Sequence, residues 1–211
     1  KVEQAMQAGK IDLLDIIAPA AFVVTPNYIQ LNNTYLKTFF VYTYPRYLNT
    51  NWLSPVINFD MTIDISMFVY PMATHDVMGQ LKRRQSQLES TSMIQKEKGM
   101  VRDPELDTAI GDIDSMREAL QKGESRLFQF SLYFTIYAST LDELAGLTHN
   151  LEAALGGLLI YTKQSFLQME QGFNTTLPMA NDELKILRNL DTGSLSTTFP
   201  FSSAELTSNE G

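Results

Sequence analysis

Leu127-Phe128-Gln129-Phe130-Ser131-Leu132-Tyr133-Phe134-Thr135-Ile136-Tyr137 alternates apolar with polar or amphipathic residues at period two. Successive side chains of a strand point to opposite faces, so Phe128, Phe130, Leu132, Phe134 and Ile136 share one face. Two other stretches read the same way. Tyr35 to Tyr44 carries Leu36, Phe40, Tyr42 and Tyr44 on one side, and Met61 to Tyr70 carries Ile63, Ile65, Met67 and Val69. The opposite faces are largely Thr, Ser, Gln, Asp and Tyr, which predicts an antiparallel sheet packed on one side only. Ala21 to Leu31 is expected to pair with Tyr35 to Tyr44 through a turn at Asn32-Asn33.

Downstream of the quoted stretch, Thr140-Leu141-Asp142-Glu143 is a capping box, so a helix starts there. Its apolar stripe is Leu144, Leu147, Leu151 and Ala154 or Leu155. Gly156-Gly157 supplies the stop, and Leu158 to Tyr161 reads as a short strand. Upstream, a strand at Tyr35 to Tyr44, a short helix around Trp52 to Asn58 and a strand at Met61 to Tyr70 repeat that order. Two β-α-β units predict an α+β fold with a ferredoxin-like split β-α-β antiparallel sheet. Between them, Thr74 to Gly123 is helical in pattern and broken near Gly99 to Pro104. Leu106, Ala109, Ile113, Met116 and Leu120 are spaced three and four apart, and Met78, Leu81 and Leu88 fit the same register, diluted by Gln85 and Ser92. The pattern predicts an inserted, projecting antiparallel helical hairpin. After Tyr161, Gln164 to Ala180 reads as extended, Glu183 to Leu190 as a short helix, and the Ser/Thr-rich end with Phe199-Pro200-Phe201 as a linker. The expected organisation is a helical or irregular segment at 1–20, an α+β domain at 21–165 with the hairpin at about 74–123, and an extension and linker at 166–211 leading towards a motor domain.

The chain has 211 residues, 44% of them hydrophobic, with a net charge of −8 and no cysteine. It is long enough to bury a core, while its acidity argues against broad attraction to nucleic acid phosphates. Disulfides, thiolate metal sites and cysteine nucleophiles are excluded, in keeping with a reducing compartment. The apolar stretch Ile11 to Val24 carries Asp12, Asp15 and Pro19, and no run reaches the roughly 18 residues that span a bilayer. Asn32-Asn33-Thr34 and Asn174-Thr175-Thr176 match the glycosylation pattern but read as turn residues. The start at Lys1 and the polar end at Gly211 read as those of a piece cut from a longer protein.

No GxxxxGK[ST] or GxGxxG loop is present, so the chain has no P-loop of its own. His75 and His149 lie outside any HxxxH or HExxH spacing, and no GxSxG elbow exists. Asp103, Glu105, Asp107, Asp112 and Asp114 lack the calcium-loop order of ligands and read as dipole-favouring residues of a helix start. No catalytic, cofactor-binding or metal-ligating residue is expected. Lys82-Arg83-Arg84 is the one dense basic cluster, and with Lys96 and Lys98 it forms the candidate partner surface. It could meet nucleic acid, an anionic membrane surface or an acidic helix; the favoured reading is a solvated face paired with the acidic second arm. Phe128, Phe130 and Phe134 are spaced like a base-stacking platform, but the RNP1 pattern is missing.

Tyr44-Pro45-Arg46-Tyr47, Trp52-Leu53, Ile57-Asn58-Phe59, Asp64-Ile65-Ser66, Tyr70-Pro71, Asp103-Pro104-Glu105-Leu106, Leu127-Phe128-Gln129, Ser131-Leu132-Tyr133-Phe134 and Phe199-Pro200-Phe201 follow one another in a telling order. Together they resemble the N-terminal region of conjugative-transfer ATPases of the TraC/TrbE/CagE kind, over about residues 30 to 210. The resemblance implies a non-catalytic docking and regulatory domain of a type IV secretion ATPase, coupling its motor to the membrane channel. ATP and Mg would belong to the motor domain alone. Implied partners are that motor, secretion-channel components at the inner face of the cytoplasmic membrane, and neighbouring subunits of a hexamer; the implied location is cytoplasmic and peripheral to that membrane. The matching segments carry no catalytic residues to transfer. The alternative is a stand-alone ferredoxin-like module that binds nucleic acid through the Lys82–Arg84 patch.

Overall fold

The computed structural model describes residues 19, 21–101 and 103–199. In chain order these form β1 (Phe22–Val24), β2 (Ile29–Leu31), β3 (Thr34–Thr43), α1 (Ser54–Ile57), β4 (Ile63–Pro71), α2 (Thr74–Glu97), α3 (Pro104–Lys122), β5 (Leu127–Ala138), α4 (Leu141–Gly156), β6 (Tyr161–Gln164), α5 (Met169–Thr176), β7 (Arg188–Asp191) and α6 (Thr192–Ser196). The fold is α+β, with a seven-stranded sheet ordered β1-β2-β3-β5-β4; β6 joins β3, and β7 joins β5. The segment expected at 1–20, apart from Pro19, and the Pro200-Phe201 end of the tail lie outside the described residues.

The turn between β2 and β3 is where the sequence places it. Leu31 pairs with Thr34, and Asn32 takes φ 54°, a left-handed conformation that Asn tolerates better than most residues. The described chain divides into two compact units, one from 21–43, 58–66 and 132–186, the other from 44–57, 67–131 and 187–199.

In the first unit, the register sets Phe39 opposite Phe134 and Lys37 opposite Ile136, so these four share a face with Val41. Helix α4 packs against β3 and β6 through buried Leu144, Leu151 and Leu155. Its N-terminus is capped as expected: Thr140 Oγ1 accepts from Glu143 N–H at 3.1 Å, and Glu143 accepts from Ser139 N–H at 2.8 Å. Burial pushes the Lys37 ammonium below its usual pKa, and Glu152 on α4 partly offsets this.

The other face corrects the one-sided reading of the sheet. Thr38, Ser131, Tyr133 and Thr135 are as buried as the apolar residues that alternate with them. Their polar groups are satisfied inside the protein rather than by water. Thr38 Oγ1 and Thr135 Oγ1 share a hydrogen bond of 2.7 Å, Thr135 and Thr176 share one of 2.8 Å, and Tyr133 Oη donates to Asp182 Oδ1 at 2.7 Å. The covering element is α5, which replaces the extended segment expected at Gln164 to Ala180. It buries Met169, Gly172, Thr175 and Thr176, a helical stripe that carries one large apolar side chain. The helix expected at Glu183 to Leu190 is also absent. Lys185 N–H donates to Asp182 Oδ1 at 2.8 Å, Lys185 has φ 51°, and the chain then pairs as β7 with Leu127 to Phe130.

Gly172 marks how closely α5 approaches the sheet. A Cβ there would stand 2.5 Å from Ser165 Oγ and 3.0 Å from Thr38 Cβ. Gly172→Ala gains about 1 kcal/mol of helix propensity but overpacks a buried contact, which costs about 1–3 kcal/mol. The expected outcome is a lower urea midpoint than wild type. Alanine at Gly146, an α4 position with open space around it, is the comparison that should raise the midpoint.

In the second unit, Trp52, Leu53, Val56, Val77, Leu120 and Phe130 are buried. The Tyr44 ring stands 6.1 Å from both Trp52 and Phe130. The Trp52 indole N–H is buried without a hydrogen-bond partner among the described residues, so phenylalanine at this position strands no acceptor there. Helices α2 and α3 run in opposite directions against each other. Gln85 donates to Asp114 Oδ1 at 2.8 Å and accepts from Arg117, while Lys96 and Asp107 line one small recess. The residues at three-and-four spacing, Leu106, Ala109, Ile113 and Met116, are half-buried, and Leu120 is buried.

Candidate docking surface

Helix α2 and its C-cap hold all five basic residues of the candidate surface. Its 24 residues extend for roughly 36 Å, at about 1.5 Å per residue. Lys82, Arg83 and Arg84 are exposed near its middle; Lys96 lies in its last turn and Lys98 at its C-cap, both exposed. About 21 Å of helix axis separates Lys82 from Lys96, so the structure makes two basic sites where the sequence alone reads one. None of the five makes an ion pair among the described residues.

Two acids of the second arm have partners outside the basic cluster, one of them on the first arm. Asp112 accepts both of its 2.6 Å hydrogen bonds from Arg46, and Asp114 accepts from Gln85. The Arg46–Asp112 pair is half exposed on both sides, so it contributes at most about 1 kcal/mol. Asp103 caps α3, accepting from Glu105 N–H at 2.9 Å. Among the described residues no three His, Asp or Glu side chains are grouped to hold a metal ion. His75 and His149 are both exposed.

A recess of about 680 Å³ in the first unit is lined by Thr34, Asp60, Thr62, Tyr137 and Glu143 among others. Two of its polar groups are already committed to structure. Glu143 closes the capping box, and Tyr137 donates its phenol proton to Asp64. Burial, with the Asp64 hydrogen bond and charge adding to it, raises the Tyr137 pKa well above the usual tyrosine value. A raised folded-state pKa stabilises fully below the unfolded value near 10, and that stabilisation is lost as pH rises through the folded value. Stability should therefore fall on the alkaline side of about pH 10, and Tyr137→Phe should flatten that limb of a denaturation-midpoint profile.

Sequence reasoning missed a second feature of the helix pair. Met93, Ile94, Met100 and Val101 are exposed where α2 ends and the chain turns towards α3. A signal was present: Met93 and Ile94 fall outside the three-and-four register that ends at Ser92. No described helix is long and apolar enough to cross a membrane. No protein-family model matches the chain, and no curated protein matches it in sequence.

Proposed function

We propose that the chain is the non-catalytic docking and regulatory domain of a type IV secretion ATPase, placed before the motor and coupling it to the membrane channel. The observation that carries the reading is the order of elements. Strands run β6-β3-β5-β4 across the sheet, β3 and β4 flank α1, β5 and β6 flank α4, and α2 with α3 is inserted between β4 and β5. That order supports the ferredoxin-like split β-α-β sheet with an inserted helical hairpin expected from the strand and helix patterning.

Several of the segments that carry the resemblance hold structural positions. Trp52 and Leu53 sit in a core, Arg46 pairs with Asp112, Asp103 caps α3, and Ser131 to Phe134 lies buried in β5. A family constrained by folding and docking rather than by chemistry would keep such positions. On this reading the protein works in the cytoplasm at the membrane face, and ATP and Mg bind only in the motor.

The exposure of Lys82, Arg83 and Arg84 favours one other reading, a module that binds nucleic acid through that patch. Titration with single- and double-stranded DNA at several salt concentrations separates the two. The docking reading expects weak binding that changes little when all three residues become alanine. Tight, steeply salt-dependent binding lost in that variant would overturn it, because each phosphate contact adds about one unit to the salt slope.

A further inference from the structure

From the α2–α3 turn we infer a binding site for an anionic lipid surface, made by Met93, Ile94, Met100 and Val101 with Lys96 and Lys98. Exposed large apolar residues occur at no other described position of the helix pair, and here four fall within nine residues. Val101 is 91% exposed and Met93 64%. Further back, the outward residues are polar or charged, Lys82, Arg83, Arg84, Gln87 and Glu89 among them.

As far as Met100 the backbone of the turn is hydrogen-bonded. Gly99 reverses the chain at φ 64°, Met100 N–H closes back onto Gln95 O at 3.0 Å, and Asp103 caps the helix that follows. A hydrogen-bonded turn loses little conformational entropy when its apolar side chains leave water, so more of the burial free energy appears as binding. Methionine suits a disordered acyl boundary, since its flexible thioether chain packs without a fixed partner shape.

Charge selects the occupant. Between Met93 and Arg102 the sequence holds Lys96, Lys98 and Arg102 against Glu97 alone, a local positive excess in a chain of net −8. Lys96 and Lys98 are exposed beside the apolar group. Apolar side chains bracketed by lysines match the acyl boundary and phosphate layer of an anionic leaflet. The acids Asp103, Glu105 and Asp107 stand on the opening turn of α3 and oppose deeper entry, so contact is confined to the turn. The inference holds whether or not a motor domain follows the chain.

The experiment is flotation of the 211-residue chain with vesicles of equal parts phosphatidylserine and phosphatidylcholine, and with phosphatidylcholine alone. Binding should be stronger to the first and should weaken with salt. Lys96→Gln with Lys98→Gln should reduce partitioning by about twenty-five-fold, at roughly fivefold per charge removed. Met100→Asp with Val101→Asp should abolish it while leaving the circular dichroism spectrum unchanged, because both side chains are exposed. In a Trp52→Phe background, Val101→Trp should shift its fluorescence to the blue when anionic vesicles are added. Absence of wild-type binding, equal binding by the aspartate variant, or an unshifted emission from the introduced tryptophan would overturn the proposal. So would a change in oligomeric state of the aspartate variant without lipid, which would assign the turn to a protein contact.

Discussion

Phe134→Ala is expected to leave the sheet unit largely unfolded under conditions where the wild-type chain is native. Phe134 is fully buried opposite Phe39, on the face of β3 and β5 that α4 covers. Removing a buried phenylalanine side chain costs about 3–5 kcal/mol, through lost transfer free energy and the cavity left behind. A domain has only about 5–15 kcal/mol to lose. Urea denaturation followed by circular dichroism should show the midpoint falling steeply or the native baseline vanishing. Phe128, on the same strand but half-buried, provides the contrast. Equal losses from Phe134→Ala and Phe128→Ala would contradict the burial pattern described for β5.

Tyr133→Phe should also be costly, although it removes a single oxygen. Tyr133 Oη donates to Asp182 Oδ1 at 2.7 Å and accepts from Ile186 N–H at 3.0 Å. Its loss takes a donor from a buried carboxylate and an acceptor from a backbone N–H, at about 1–3 kcal/mol for each group left short. A loss of roughly 2–4 kcal/mol follows. Hydrogen exchange at Ile186 and Lys185 should speed up by more than the global change, because the segment after α5 is held to the sheet through this hydroxyl. A neutral substitution would mean that the polar face of the sheet is held by packing alone.

The strand alternation and the capping box were legible because each is a local pattern with one physical reading. Phe130, Leu132, Phe134 and Ile136 fall on a buried face wherever the sheet finds its cover, and Thr140 with Glu143 closes a helix start unaided. The second cover was hidden. Thr38, Ser131, Tyr133 and Thr135 look alike in sequence whether water or a polar lid satisfies them, and α5 buries Gly172, Thr175 and Thr176 where an amphipathic helix would show leucines. Strand β7 carries no local strand signal, because its pairing with β5 is long-range and its four residues, Arg188 to Asp191, carry one apolar side chain. At the candidate surface, exposure of Lys82, Arg83 and Arg84 followed from their place off the apolar stripe. The engagement of Asp112 by Arg46 did not, since 66 residues separate the partners.

The assignment to a secretion ATPase stands or falls most directly on the coding sequence beyond the codon for Gly211. A GxxxxGK[ST] loop within a few dozen codons, preceded by an apolar strand, is the expected result and would place this domain ahead of a P-loop motor. A stop codon or an unrelated sequence there would contradict the assignment and leave an α+β binding module whose partner must be sought by other means.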